Sequence, residues 1–363
     1  MTSHRHISLD ALRGLVVVLM ALDHVQFFWF SFGLPNDGLH GLIPQYLSSF
    51  HQLTRFLSHL CAPTFLFLAG MMVAWKKDPK HIFIRGIILI FLQFTLENIA
   101  WWPKGYIENK GYAYFGILSC LGVGMCMLAL LSSVRPLFIF IISIFIFFLS
   151  QAIVNPMVPN AHPFLQGLAI IFYVPTLEKF YPMTSLFTVI PWVGFMGIGY
   201  YIGTKTLNHP LYLYKKTFGI VGLILIITSS VLRYMNGFGN TLHWYGSPFG
   251  SDFFILSKYP PSLVFSGFIL GIMFLIWALF IHTESKFSRW NPLVVFGQVA
   301  LFFYLVHLYL YGLGAYIVGH TVGLTHLSHI WGIWFLGLIP LYFLCAFYRN
   351  LKTTSPTTWI RYI

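Results

Sequence analysis

Arg13 and His24 lie eleven residues apart in one long apolar run near the N-terminus. That is close to three helical turns, so both share one face with roughly 16 Å between them along the axis. Asp10 falls one turn before Arg13 on the same face. A guanidinium fork suits the phosphates of a nucleotide-bearing donor, and an imidazole serves as general base or nucleophile near neutral pH. Moving an acyl group from a thioester to a hydroxyl or amine needs one of those two services. A cationic end leading to a histidine-bearing end along one helix therefore suits group transfer across a membrane.

Ionisable side chains inside apolar spans are costly and tend to face a protein interior or an aqueous cavity. Besides Asp10, Arg13 and His24, the set comprises Asp23 in the same run, Arg55 and His59 at the start of the second, Glu97 near the outer end of the third and His307 in the ninth. His24, Arg55, His59, Glu97 and His307 all fall in the outer halves of their runs. Asp23 suits the orientation of an imidazole, but it points about 100° away from its neighbour His24 on a helix, so His59 is its easier partner. The plainer reading of these groups is hydrogen-bonded glue between helices. His320, His326 and His329 in the last outer loop bring no further strong ligand, so no metal is expected, and His4 and His6 read as solvated terminal residues.

The elements that must position these groups follow from composition. The chain has 363 residues, of which 58% are hydrophobic and 8% charged, against roughly 25% charged in soluble domains. Apolar stretches near the length of about 20 residues that a bilayer requires recur at 8–31, 57–75, 82–102, 113–134, 136–155, 184–203, 217–236, 260–282, 293–313 and 331–348. The expected fold is all-α: a polytopic membrane helix bundle of about ten transmembrane helices, with room for an eleventh element in 156–183. No repeat or long linker divides the chain, so 1–363 reads as one integral membrane domain.

Cytoplasmic connectors retain positive charge. With the N-terminus inside, the inner side receives Arg5, Arg13, Lys76, Lys77, Lys80, Arg85, Arg135, Lys205, Lys215, Lys216, Lys286, Arg289, Arg349, Lys352 and Arg361. The outer side receives Arg55, Lys104, Lys110, Lys179, Arg233 and Lys258. This split of 15 against 6 of the 21 Lys and Arg places both termini in the cytoplasm. It also accounts for the net charge of +12 without nucleic-acid binding. Cys61, Cys120, Cys126 and Cys345 lie in the spans as small hydrophobes, with no disulfide framework indicated. The first run contains Asp23 and His24 and reads as an uncleaved helix. The outer loops 32–56, 156–183, 237–259 and 314–330 are long, aromatic and rich in Gly, Pro and His, as an external cavity or lid would need.

Ser8-Leu9-Asp10-Ala11-Leu12-Arg13-Gly14 followed by Leu19-Met20-Ala21-Leu22-Asp23-His24 resembles the opening of the heparan-alpha-glucosaminide N-acetyltransferase catalytic-domain family. Further pieces agree in order: His59-Leu60-Cys61-Ala62-Pro63-Thr64-Phe65 into Phe67-Leu68-Ala69-Gly70, Pro191-Trp192 with Gly199-Tyr200, Lys258-Tyr259-Pro260-Pro261-Ser262, and Phe302-Phe303-Tyr304 with His307. The Arg and His spacing alone resembles the wider membrane acyltransferases that O-acetylate bacterial surface sugars. The resemblance implies an acetyltransferase that takes acetyl-CoA as donor from the cytoplasmic side and modifies a sugar or amino sugar outside, in a bacterial inner membrane. It implies His24, His59 and Asp23 as catalytic, and Arg13, Arg55, Asp10, Lys258, Tyr259, Trp192 and His307 as donor- or substrate-binding residues.

Lysosomal members of that family resemble this chain but carry Asn at the position of His24, with an active His in the following loop, where this chain offers His40 and His51. The order of preference for the catalytic histidine is His24, His59, His51, and both an acyl-His intermediate and direct transfer stay open. Expected partners are acyl-CoA, the glycan or amino-sugar acceptor and membrane lipid, with homodimerisation left open. The competing class is a transporter or flippase for a small anionic or sugar-lipid substrate. Its mark, two repeated halves with broken helices at matching positions, is not found. A non-catalytic membrane scaffold would leave the buried charges without purpose.

Overall fold

The computed structural model describes residues 6–32, 34–76, 78–101, 113–152, 162–176, 183–318 and 324–354. Helix α1 spans Ile7–Trp29, and α2 (Ser49–Ser58) runs through His59 and Leu60 into α3 (Cys61–Lys76). Helix α4 (Pro79–Leu92) widens into a π turn at Gln93–Glu97 before the short α5 (Asn98–Ala100). Strand β1 (Ala113–Phe115), α6 (Ile117–Leu130), α7 (Pro136–Ala152), α8 (Pro163–Phe172) and strand β2 (Met183–Ser185) follow. The chain continues with α9 (Val189–Thr206), α10 (Lys215–Met235), α11 (Leu263–His282), α12 (Pro292–Gln298), α13 (Ala300–Val318) and α14 (Leu327–Thr354).

Local chemistry sets several starts. The Ser48, Asp78, Ser262 and Asn291 side chains accept the N–H groups of His51, His81, Phe265 and Leu293, and Pro79 and Pro292 sit in the first turns of α4 and α12. Helix α10 ends on Asn236 in the left-handed region, φ 52°.

Among the described residues seven segments are long and apolar enough to cross a membrane: Ile7–Trp29, Ser49–Lys76, Pro79–Ala100, Leu211–Met235, Leu263–His282, Ala300–Val318 and Leu327–Thr354. The protein is thus an all-α membrane bundle, apart from a parallel three-residue ladder that pairs Ala113, Tyr114 and Phe115 with Met183, Thr184 and Ser185. Three expected spans are occupied by α6, α7 and α9, of 14, 17 and 18 residues. At 1.5 Å per residue these are roughly 21, 26 and 27 Å long, short of a hydrocarbon core of about 30 Å. Within 156–183 lies the ten-residue α8, whose Phe164 and Leu165 face outward. His4, Arg5, Lys77, Lys104, Lys110, Lys179, His320 and Arg361 lie outside the described residues.

Helix α1 is the hub, packed against α3, α11, α12, α13 and α14. Its crossing with α12 is the closest: a Cβ added at Gly14 would sit 1.8 Å from the Leu293 carbonyl oxygen, and one at Gly297 1.8 Å from that of Asp10. Only a hydrogen at these positions lets the two backbones meet. The expected span 293–313 is in fact two helices that break at Val299, φ −131° and ψ 41°. The break lets α12 hug α1 while α13 follows a course of its own.

One end of the bundle gathers the start of α1 and the ends of α3, α11 and α14. His6 tilts against Trp75 with 5.3 Å between ring centroids, the Ser8 N–H donates to Glu284 at 3.0 Å, Lys215 meets His282 at 3.4 Å, and Arg349 donates to the Arg289 carbonyl at 2.6 Å.

Candidate active site

At the opposite end two loops and two helices converge on Asp37. The loop after α1 turns through Asp37 at φ 49°, a left-handed conformation that Asp tolerates. Its carbonyl accepts the N–H groups of Lys258 (2.9 Å) and Tyr259 (3.3 Å), which ties the loop before α2 to the loop before α11. Its carboxylate is fully buried and accepts from Arg55 Nε at 3.0 Å and from Arg55 Nη2. His59 Nε2 stands 3.4 Å away and Lys258 Nζ 4.0 Å. Through Nη1, Arg55 also binds Asp23, which accepts the Ser58 hydroxyl at 2.9 Å.

The result is a buried, closely neutral cluster of two carboxylates, one guanidinium and one ammonium. Burial alone would raise the Asp37 pKa, but Arg55, His59 and Lys258 together hold that carboxyl below the usual range. Burial, reinforced by Arg55, lowers the Lys258 ammonium below its ordinary value despite Asp37 and Asp23.

His24 belongs to a second pair. Its ring stacks on His307, 5.0 Å between centroids and 9° between planes, with Nδ1 of His24 2.7 Å from Nε2 of His307. His307 Nδ1 lies 2.9 Å from the Phe303 carbonyl, which can only accept, so that nitrogen carries the proton. In the neutral ring Nε2 of His307 then accepts, and His24 Nδ1 must donate. The network thus assigns the lone pair of His24 to its Nε2. The Trp101 edge, 5.1 Å between centroids, and Tyr304, 6.4 Å, close around the same ring.

Both groups meet one cavity of about 940 Å3 beside α1, at the upper end of the 300–1,000 Å3 usual for ligand sites. Asp23, His24, Arg55, Lys258 and Tyr259 line the end nearest Asp37. Met20, Leu68, Met72, Leu89, Leu121 and Met125 line the middle, and Arg13, Lys76, His81, Arg85 and Lys352 the far end. Arg13 is set there by Nη1 donating to Asp10 at 3.2 Å and to the Gly297 carbonyl at 3.1 Å, while Asp10 also accepts from Gln298 at 3.2 Å.

Of the residues singled out in the sequence, Arg13, Asp23, His24, Arg55, Glu97, Lys258 and Tyr259 line the cavity, while Asp10, His59, Trp192 and His307 stand behind its wall. Asp23 holds Arg55 and Ser58, and the carboxylate against His59 is Asp37 instead. Trp192 is buried and tilts against Phe187 and Tyr259 at 5.2 and 6.3 Å. His51 is committed to the loop, with Nδ1 accepting the Leu47 N–H at 3.3 Å and Nε2 against Gln26 at 2.5 Å. His326 and His329 pair edge-on with each other, and no cluster of three or more His, Cys, Asp or Glu could hold a metal among the described residues.

Sequence reasoning did not single out Asp37, Trp101 or Arg233. Arg233, buried in α10, donates to the carbonyls of Leu242, Asp252, Phe253 and Ile255 and to the Asn240 side chain. It thereby shapes the loop that delivers Lys258. An arginine at the outer end of a span, beyond what orientation requires, was the available signal.

The fold is a helical membrane bundle, and along its first helix runs a cavity with basic residues at one end and a histidine at the other. The model of the family described as heparan-alpha-glucosaminide N-acetyltransferase, catalytic, matches residues 5–213, and the chain belongs to that family. Membership implies an acetyltransferase enzyme. The matched region carries Arg13, Asp23, His24, Asp37, Arg55 and His59, whereas Lys258, Tyr259 and His307 lie beyond it. A comparison with curated proteins found no match.

Proposed function

We propose that the protein transfers an acetyl group from acetyl-CoA, taken up from the cytoplasm, to a sugar or amino sugar on the far side of the membrane. The observation that carries this reading is the cavity beside α1, which joins the basic cluster around Arg13 to the lone pair of His24. The charge distribution supports cytoplasmic termini and an inner-membrane location. Ten spans follow if α6, α7 and α9 cross where the bundle thins the bilayer, and 1–363 then forms one membrane domain.

Arg13, Lys76, Arg85 and Lys352 bind the donor's phosphates, which suits a guanidinium and ammonium cluster. The pantetheine arm lies along the apolar middle, and the thioester meets His24. His24 Nε2 then acts as base toward the acceptor or as nucleophile on the thioester carbonyl, and His307 behind it fixes the tautomer. His59 works through Asp37, and the Asp23, Arg55, Asp37 and Lys258 cluster shapes the acceptor end.

The test is acetyl transfer from radiolabelled acetyl-CoA by purified protein, wild type against His24→Ala, with and without amino sugars. Label reaching a sugar only in wild type supports the reading, and label resting on wild-type protein alone identifies the acyl-His route. Retained transfer in folded His24→Ala would sink the assignment of His24, and absent donor binding would move the weight to transport.

A further inference from the structure

The cavity wall holds two carboxyls, Asp23 and Glu97. Asp23 is neutralised by Arg55. Glu97, at the end of the π turn, is 1% exposed and makes no ion pair with Lys, Arg or His among the described residues. Its Oε1 accepts the Trp101 indole N–H at 3.4 Å, and Tyr304 and Gln93 flank it. Oε2 is buried with no hydrogen-bond partner among the described residues. Glue between helices accounts for Oε1 and leaves Oε2 unexplained, since a buried carboxyl oxygen without a partner costs free energy. π turns recur where a ligand must be met. Trp101 and Tyr304, which hold Glu97, are also the aromatic walls of His24, so the two groups face one volume.

We propose that Glu97 is a further catalytic residue, which binds the acceptor's ammonium group and takes its first proton. The inference rests on the acetyl-transfer reading above. An amine acceptor arrives as R–NH3+ and cannot attack until it loses a proton. That proton passes to the Glu97 carboxylate, which becomes the neutral acid. The freed amine attacks the thioester carbonyl carbon, so that the N–C bond forms and the C–S bond breaks. The second N–H proton goes to His24 Nε2 and from there to the departing CoA thiolate. The proton on Glu97 leaves to the outer water, so one ammonium and one thioester yield one amide, one thiol and one released proton. Asp23 cannot serve in this way, because Arg55 already neutralises it.

The experiment compares wild type with Glu97→Gln, using glucosamine and hydroxylamine as acceptors of acetyl from acetyl-CoA between pH 6 and 9. Hydroxylamine is uncharged at neutral pH and needs no first deprotonation. The expected result is a loss of about 100-fold with glucosamine at pH 6 to 7 that shrinks as pH rises, while hydroxylamine transfer stays within about threefold of wild type. Equal losses with both acceptors, or no loss with either, would overturn the role of Glu97. Wild type that acetylates hydroxylamine and not glucosamine would overturn it as well, and wild type inactive with both would fail the acetyl-transfer reading itself. If Glu97→Gln does not fold, Glu97→Asp must show the same selective loss in weaker form.

Discussion

The outer cluster depends on one guanidinium bridging two buried carboxylates, and Arg55→Met tests that dependence. Arg55 is 2% exposed and binds both Asp23 and Asp37. Methionine fills much of the volume but removes the guanidinium from both carboxylates, leaving Asp37 with His59 at 3.4 Å and Lys258 at 4.0 Å and Asp23 with the Ser58 hydroxyl. Breaking a buried pair by removing one partner costs about 3–5 kcal/mol. With about 2.1 cal/mol/K of unfolding entropy per residue over 363 residues, the melting temperature should fall by roughly 4–7 °C. Differential scanning fluorimetry in mild detergent reads this directly. Arg55→Lys should recover only part of the loss, because an ammonium cannot fork across two carboxylates. Adding Asp37→Asn to Arg55→Met should cost less than the two separate losses combined, since it removes one of the stranded charges. A melting temperature of Arg55→Met within about 1 °C of wild type would refute the argument that the bridge holds this end together.

Other tests reach other parts of the molecule. Gly297→Ala drives a methyl against the Asp10 carbonyl and should destabilise by about 1–3 kcal/mol, together with a raised KM for acetyl-CoA as Arg13 is displaced; melting and steady-state kinetics check both. Arg85→Ala and Lys352→Ala should each raise the acetyl-CoA KM by roughly 10-fold or more, the worth of one charge-assisted hydrogen bond, and leave kcat little changed. The folded protein holds Asp37 ionised below the usual carboxylate range, so the unfolded chain binds more protons as pH falls. The stability Asp37 contributes is therefore full above about pH 4 and lost below it. Melting temperatures from pH 6 to 3 should drop less steeply in Asp37→Asn than in wild type.

How much of this was legible in sequence depends on what carried the signal. Arg13 and His24 were legible because helical spacing converts directly into a shared face. Lys258 and Tyr259 were legible through a motif resemblance. Asp37 was not, because it sits in an aperiodic loop and its importance arises from a fold that brings residues 55, 59 and 258 to it. The break at Val299 was invisible to hydropathy, which reads α12 and α13 as one apolar run. Trp101 carries no local sequence signal, and only the fold sets its ring edge-on to His24. The pairing of His307 with His24 joins positions 283 residues apart, a distance that no local pattern spans.

Helix α1 carries Arg13 and His24 on a single covalent rod, and under the proposed function this makes it a ruler for the donor. One inserted residue between them would swing the outer group by about 100° and lift it about 1.5 Å, while two whole extra turns would restore the facing but add roughly 10 Å to the reach. Loops elsewhere can lengthen or shorten at little cost, but this interval cannot drift without mismeasuring the molecule it grips. A ligand whose anionic head and reactive carbon are separated by a different length should be gripped at one end and miss at the other.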